Sequence, residues 1–264
     1  MMEYSDNLKI AIGAAINAGI EIMKIYGSDD FGVEIKGDDS PLTKADKASH
    51  GVIVSALSSK DIPILSEEGA QIQYAERANW NVFWMIDPID GTKEFIKKNG
   101  EFTVNIALIQ NGKPTLGVVY APVLQEIFFA EDGLGSYKKI EVQALEDFEN
   151  ATITDLTSVQ PPSTYTLVVS KSHMNESTQE YVDKKEREHG TVDAASFGSS
   201  LKICKVADGS AHCYPRFGRT MEWDTAAAHA VATIAGCSVT QEDEQSSLRY
   251  NKENLLNPYF IIQR

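Results

Sequence analysis

The stretch Trp84-Met85-Ile86-Asp87-Pro88-Ile89-Asp90-Gly91-Thr92-Lys93-Glu94-Phe95 runs from apolar residues into two carboxylates, a proline, a glycine and a hydroxyl. Residues 82–86 are bulky or β-branched and read as a short strand buried on both faces. Pro88 biases Asp87 away from helical geometry and Gly91 permits a turn, so the spacing predicts Asp87 and Asp90 in one small space. A helix starting at Thr92 would present unpaired backbone N–H groups from Gly91 and Thr92, which favour a phosphate. Carboxylates for a cation then lie beside donors for an anion. Asp-Pro and Asp-Gly alone are turn formers and mean only a loop. Two acids three residues apart at a strand end, with a hydroxyl two residues further on, say more.

Other acids sit at similar places. Ile62-Pro63-Ile64-Leu65 reads as a strand that runs into Ser66-Glu67-Glu68-Gly69. Taken alone this is a solvated turn; beside Asp87 and Asp90 it suggests neighbouring strand ends that pool their carboxylates. Glu222-Trp223-Asp224-Thr225 precedes an alanine-rich helix, placing Asp224 at or just inside a helix start, where it serves equally as an N-cap or a ligand. Asp46 falls in the first turn of an earlier helix, where an acid stabilises the helix dipole. If Glu67, Asp87, Asp90 and Asp224 converge, each like-charge pair at about 4 Å costs on the order of 4 kcal/mol at an effective dielectric near 20. Cations are the remedy, and an all-oxygen donor set points to two or more Mg2+ ions and not to zinc.

The elements that must position these residues follow from periodicity. Apolar residues at three and four predict a helix over 8–26, and Ser40-Pro41-Leu42-Thr43 offers a cap for a second helix with Ala45, Ala48, Val52, Ile53 and Ala56 buried. Residues 27–39 read as a loop or weak hairpin. Residues 102–137 carry the punctuation of an antiparallel meander, with Asn111-Gly112 as a hairpin turn. Pro161-Pro162 marks a boundary, giving domains 1–160 and 161–264. Beyond it the pattern predicts a strand at 167–169, helices at 176–189 and 199–207, a strand at 211–214, a helix over 225–235 and an edge strand at 259–262. The fold class is α/β, an α+β N-terminal half followed by an α/β C-terminal half.

A chain of 264 residues buries a sizeable core. Its 24 Lys+Arg against 38 Asp+Glu give a net charge of −14, which argues against a nucleic-acid polymer or anionic membrane as partner. Cys204, Cys213 and Cys237 lack metal-site or disulfide-framework spacing. No secretory signal or membrane-spanning run is evident, so a cytoplasmic protein is expected.

Ser66-Glu67-Glu68, Asp87-Pro88-Ile89-Asp90-Gly91-Thr92 and Trp223-Asp224-Thr225-Ala226-Ala227, in that order, resemble the three signatures of the inositol monophosphatase-like, magnesium-dependent, lithium-sensitive phosphatases. Gly198-Ser199-Ser200-Leu201-Lys202 and Tyr214-Pro215-Arg216-Phe217-Gly218 are similar to its 3'(2'),5'-bisphosphate nucleotidase branch, which removes the 3'-phosphate from adenosine 3',5'-bisphosphate in sulfur metabolism. Ala228 departs from the glycine common there. The resemblance implies a layered αβαβα sandwich and hydrolysis to AMP and phosphate by in-line attack of a metal-activated water. It implies metal binding by Glu67, Asp87, the Ile89 carbonyl, Asp90 and Asp224, with Asp46 and Thr92 taking the water's proton. For substrate binding it implies Glu67, Gly91, Thr92, Ser170, His173, Gly198, Lys202 and Asp224. The alternatives are an inositol monophosphatase or sugar-phosphate phosphatase, and a non-catalytic nucleotide sensor.

Overall fold

The computed structural model describes residues 3–28, 30–35, 37, 41–169 and 175–264. The first helix, α1 (Asp6–Tyr26), starts at Ser5, whose hydroxyl accepts from the Leu8 N–H at 3.1 Å. That satisfies a donor which the first helical turn leaves unpaired. A short hairpin of β1 (Glu34–Ile35) and β2 (Pro41–Leu42) leads to α2 (Lys44–Leu57), capped by Thr43. Ala45, Asp46, Ser49, Ile53 and Leu57 form its buried face, whereas Ala48, Val52 and Ala56 are only half-buried at the margin.

Next come β3 (Ile64–Ser66), α3 (Tyr74–Arg77), β4 (Val82–Asp90) and α4 (Thr92–Ile96). The meander follows as β5 (Thr103–Gln110), β6 (Lys113–Ala121), β7 (Glu126–Glu131) and β8 (Gly135–Lys139), then α5 (Leu145–Asn150) and β9 (Ile153–Asp155). Asn111 and Gly112 turn β5 into β6 with φ of 52° and 73°, the backbone an Asn-Gly hairpin selects. Strands β3 to β9 form one seven-stranded sheet in sequence order, with β3 parallel to β4 and the meander antiparallel.

Between Asp155 and Tyr165 the chain passes into a second sheet. Its elements are β10 (Tyr165–Val169), α6 (Glu176–His189), β11 (Val192–Ser196), α7 (Leu201–Ala207), β12 (Cys213–Arg216), α8 (Glu222–Ile234), β13 (Ser238–Gln241) and β14 (Phe260–Gln263). The strand order is β11-β10-β12-β14-β13. The apolar run 259–262, expected at an edge, is therefore β14 and lies inside the sheet between β12 and β13. Phe260, Ile261 and Ile262 are all buried, as a strand covered on both faces requires. Helix α8 begins three residues ahead of Thr225, so Asp224 lies in its first turn and Met221 is the N-cap.

Alternate residues of the large sheet divide between two cores. Trp84, Ile86, Ile106 and Val118 pack with α1 and α2. Phe83, Met85, Ala107 and Val119 pack with α7 and α8, in a cluster that also takes in Val168, Tyr214 and Ile262 of the second sheet. On the far face of that sheet Leu167, Cys213 and Ile261 meet Tyr181 of α6. Helix, sheet, helix, sheet and helix layers give an αβαβα sandwich. No helix among the described residues is long and apolar enough to cross a membrane, and Cys204, Cys213 and Cys237 are free and buried.

Candidate active site

β4 does not stop at Asp87-Pro88 as the sequence suggested; it continues to Asp90 through a bulge. Its pairing with β5 runs from Val82↔Gln110 to Asp87↔Asn105 and resumes at Asp90↔Thr103, so β4 spends one residue more than β5. In a regular strand residues three apart face opposite sides; the extra residue restores Asp90 to the side Asp87 faces, towards α7 and α8. Pro88, which has no N–H for the ladder, sits in the interruption. Its carbonyl accepts from the Ser49 hydroxyl of α2 at 2.8 Å. Glu67 enters from the next strand over: β3 pairs with β4 at Ser66↔Ile86, and the Glu67 N–H donates to the Ile86 carbonyl at 3.2 Å. Asp224 arrives on α8, with Oδ2 accepting from the Met221 N–H at 2.8 Å.

Carboxylate oxygens of Asp87, Asp90 and Asp224 lie within 4.8 Å of one another. Glu67 falls outside that group, yet its charge acts on both Asp87 and Asp224. Burial, followed by the charges of Glu67, Asp90 and Asp224, pushes Asp87 well above the usual carboxylate range. Asp224 is also pushed well up, by burial and then by Asp90, against the opposing Met221 N–H. Asp90 rises through burial, opposed by Lys202 and by hydrogen bonds from Ser200. A divalent cation fits this set: Asp87 Oδ1 accepts from the Ile89 N–H at 3.1 Å, while Asp87 Oδ2 is buried with no hydrogen-bond partner and has acids for neighbours. Only a proton or a cation reconciles acceptors that face acceptors.

Beside the acids, the Thr92 hydroxyl donates to Asp46 Oδ1 at 3.3 Å, and its oxygen lies 3.4 Å from the Ile89 carbonyl. Asp46 Oδ2 accepts from the Thr43 N–H and hydroxyl at 2.7 and 2.6 Å. Gly91, at φ +94°, swings the backbone from β4 into α4, a conformation open to glycine at little cost. A cleft adjoining Asp90 and Asp224 is walled by Gly91, Gly198, Ser199, Lys202 and Arg216. Burial lowers the Lys202 ammonium to about 8, with Asp90 as the main opposing influence. Ala228 is buried in the core and does not line this cleft.

Residues 3–261 match the model of the inositol monophosphatase family. The chain belongs to this family. The 3'(2'),5'-bisphosphate nucleotidase CysQ of Salmonella typhimurium strain LT2 is 46% identical over 252 residues, covering 94% of this chain and 96% of that protein. Its Escherichia coli K12 counterpart is 45% identical with the same coverage. The crystal structure of CysQ from Bacteroides thetaiotaomicron, described as a bacterial member of the inositol monophosphatase family, superposes with a TM-score of 0.90 at 45% identity, covering 100% of this chain and 98% of that one. The Thermotoga maritima IMPase shares the fold, with a TM-score of 0.75 at 22% identity over 98% of this chain and 92% of that one.

Within this family member the structure brings Asp46, Glu67, Asp87, Ile89, Asp90, Gly91, Thr92, Gly198, Lys202 and Asp224 to one region. Ser170 and His173 lie outside the described residues. Two residues escaped the sequence reading of the site. Arg216 was visible in the stretch 214–218 but carried no role until β12 placed it in the cleft. Ser200 has a hydroxyl 2.7 Å from Asp90 Oδ2, and nothing in its local sequence announces that contact.

Proposed function

We propose that this phosphatase removes the 3'-phosphate from adenosine 3',5'-bisphosphate, giving AMP and phosphate by in-line attack of water. The observation that carries the reading is the meeting of three carboxylates, buried Asp87 and half-buried Asp90 from β4 and half-buried Asp224 from α8, within 4.8 Å of one another and beside a cleft walled by Lys202 and Arg216. Near full-length relatives at 45–46% identity bear the name of that nucleotidase. Residues 1–160 supply most ligands and the proton acceptors, and residues 161–264 supply Asp224 and the substrate pocket.

Glu67, Asp87, Asp90, Asp224 and the Ile89 carbonyl would hold magnesium, an ion suited to an all-oxygen donor set. When bound, it makes a water more acidic and offsets charge on the phosphoryl and leaving oxygens. The chain's own part is proton movement and positioning. A water donating to Thr92 Oγ1 passes its proton there as Thr92 passes its own to Asp46 Oδ1, the route defined by their 3.3 Å hydrogen bond. Thr43 holds the other Asp46 oxygen, so the acceptor does not swing. First-turn N–H groups of α4 after Gly91 face the reacting phosphate, while Lys202 and Arg216 offer the second phosphate the local attraction that a net charge of −14 denies globally.

Phosphate release from adenosine 3',5'-bisphosphate and from inositol 1-phosphate, each with and without Mg2+ and with added Li+, tests the reading. A higher kcat/KM for the nucleotide, dependence on Mg2+ and inhibition by Li+ are expected. Preference for the inositol compound would end the nucleotidase assignment, and release without divalent ions would end the metal assignment.

A further inference from the structure

We infer that Ser200 is a positioning residue for the cation-binding carboxylates, setting the separation of Asp90 and Asp224 through one hydroxyl that Asn105 orients. The inference rests on the site reading given above. Ser200 precedes α7 and is 2% exposed. Its Oγ lies 2.7 Å from Asp90 Oδ2, 2.6 Å from the Asp224 carbonyl oxygen and 2.8 Å from Asn105 Nδ2.

A hydroxyl has one proton and two lone pairs. A carboxylate oxygen and a carbonyl oxygen only accept, so the Ser200 proton is shared between Asp90 and Asp224 and the third neighbour has to be a donor. This sets the Asn105 amide with its nitrogen towards Ser200. The consequence is visible: Asn105 is 1% exposed and its Oδ1 is buried with no hydrogen-bond partner. An orphaned amide oxygen costs stability, and here it stands on β5 directly across the ladder from Asp87.

Four elements meet at this hydroxyl: β4, β5, the start of α7 and the first turn of α8. Asp90 and Asp224 repel each other, so without a cation they tend to part. A neutral donor that grips the side chain of one and the backbone of the other holds them near ligand spacing without adding charge to the cluster. Outer hydrogen bonds of this kind orient metal ligands and tune affinity.

The test reads cation affinity without turnover. Full-length protein stripped with a chelator is titrated calorimetrically with Mn2+, comparing wild type, Ser200→Ala, Asn105→Ala and the double variant. Ser200→Ala is expected to bind about 10- to 100-fold more weakly. Asn105→Ala should bind several-fold more weakly, and the double variant no worse than Ser200→Ala alone, because both act through one contact. Activity of Ser200→Ala at limiting Mg2+ should fall and return as the ion is raised. Wild-type Mn2+ affinity in a folded Ser200→Ala, whatever its melting temperature, overturns the inference. Should that variant not fold, Asn105→Ala decides on the same readout. A wild-type protein that takes up no Mn2+ overturns the site reading together with this inference, and so separates the two failures.

Discussion

At the scale of single residues, Asp87 concentrates the electrostatic conflict. Burial and neighbouring acids both raise its pKa, and the sign of the linkage follows. An acid whose folded-state pKa is raised favours the fold while protonated and takes stability away as pH climbs through and past the carboxylate range. The metal-free protein should therefore be strained at neutral pH, and an ion should relieve it. Asp87→Asn is expected to raise the metal-free Tm by about 2–4 °C at pH 7.5 and to shrink the rise that Mg2+ gives the wild type, which should itself be larger at pH 7.5 than at pH 5. Thermal unfolding with and without chelator measures both; a wild-type Tm indifferent to Mg2+ at either pH contradicts the account. On sequence Asp46 reads as a helix-stabilising charge or a proton acceptor, and Asp224 as an N-cap or a ligand. The structure shows the two readings of each are compatible: one Asp46 oxygen caps α2 while the other takes the Thr92 hydroxyl, and Asp224 accepts the Met221 N–H while facing Asp87 and Asp90.

At the scale of elements, α8 must bring Asp224 down onto the strand ends. It seats on β6 at Gly117, where a Cβ would collide with the Ala227 carbonyl and lie 2.9 Å from the Ala230 Cβ. Gly117→Ala should lift the helix, destabilising the protein by about 1–3 kcal/mol and weakening Mn2+ binding as well. Urea unfolding and calorimetry read the two effects, and an alanine variant of full stability would show that the seat lies elsewhere. Much of this architecture was legible. Helical periodicity gave α1, Asn-Gly gave the β5–β6 turn, and two strands ending in acids gave the meeting of Glu67 with Asp87. The misses share a cause in tertiary context. β11 (Val-Asp-Ala-Ala-Ser) and β13 (Ser-Val-Thr-Gln) have little apolar pattern and exist by pairing with richer strands. β14 was mistaken for an edge although a run apolar on every residue describes a covered strand. The bulge depends on register against β5, and Ser200 on residues up to 110 positions away, neither of which a local window contains.

For the molecule as a whole, stability on the acid side is tied to its buried bases. His229 sits in α8 with Nδ1 2.8 Å from the Tyr250 hydroxyl, and burial pushes its pKa from the ordinary 6.5 down to about 4. In the fold it stays neutral; in the unfolded chain it takes a proton below pH 6.5. Its contribution is thus complete above that pH and is lost as pH falls towards 4, on the order of 3 kcal/mol in all. Urea midpoints at pH 7 and pH 4.5 should lie closer together in His229→Gln than in wild type, and an unchanged gap would relieve His229 of this role. The interval coincides with partial neutralisation of the acid cluster, which shifts stability in the opposite sense, so only the difference between variant and wild type isolates the histidine.

The one-residue excess of β4 over β5 has a genetic corollary. Point substitutions at Pro88 or Ile89 are chemical edits whose effects should be graded by size and shape. In-frame loss of either codon is an arithmetical edit: it cancels the excess and leaves the acids two apart on one side of a regular strand, but without the bulge that brings the Pro88 carbonyl to Ser49 and the Ile89 N–H to Asp87.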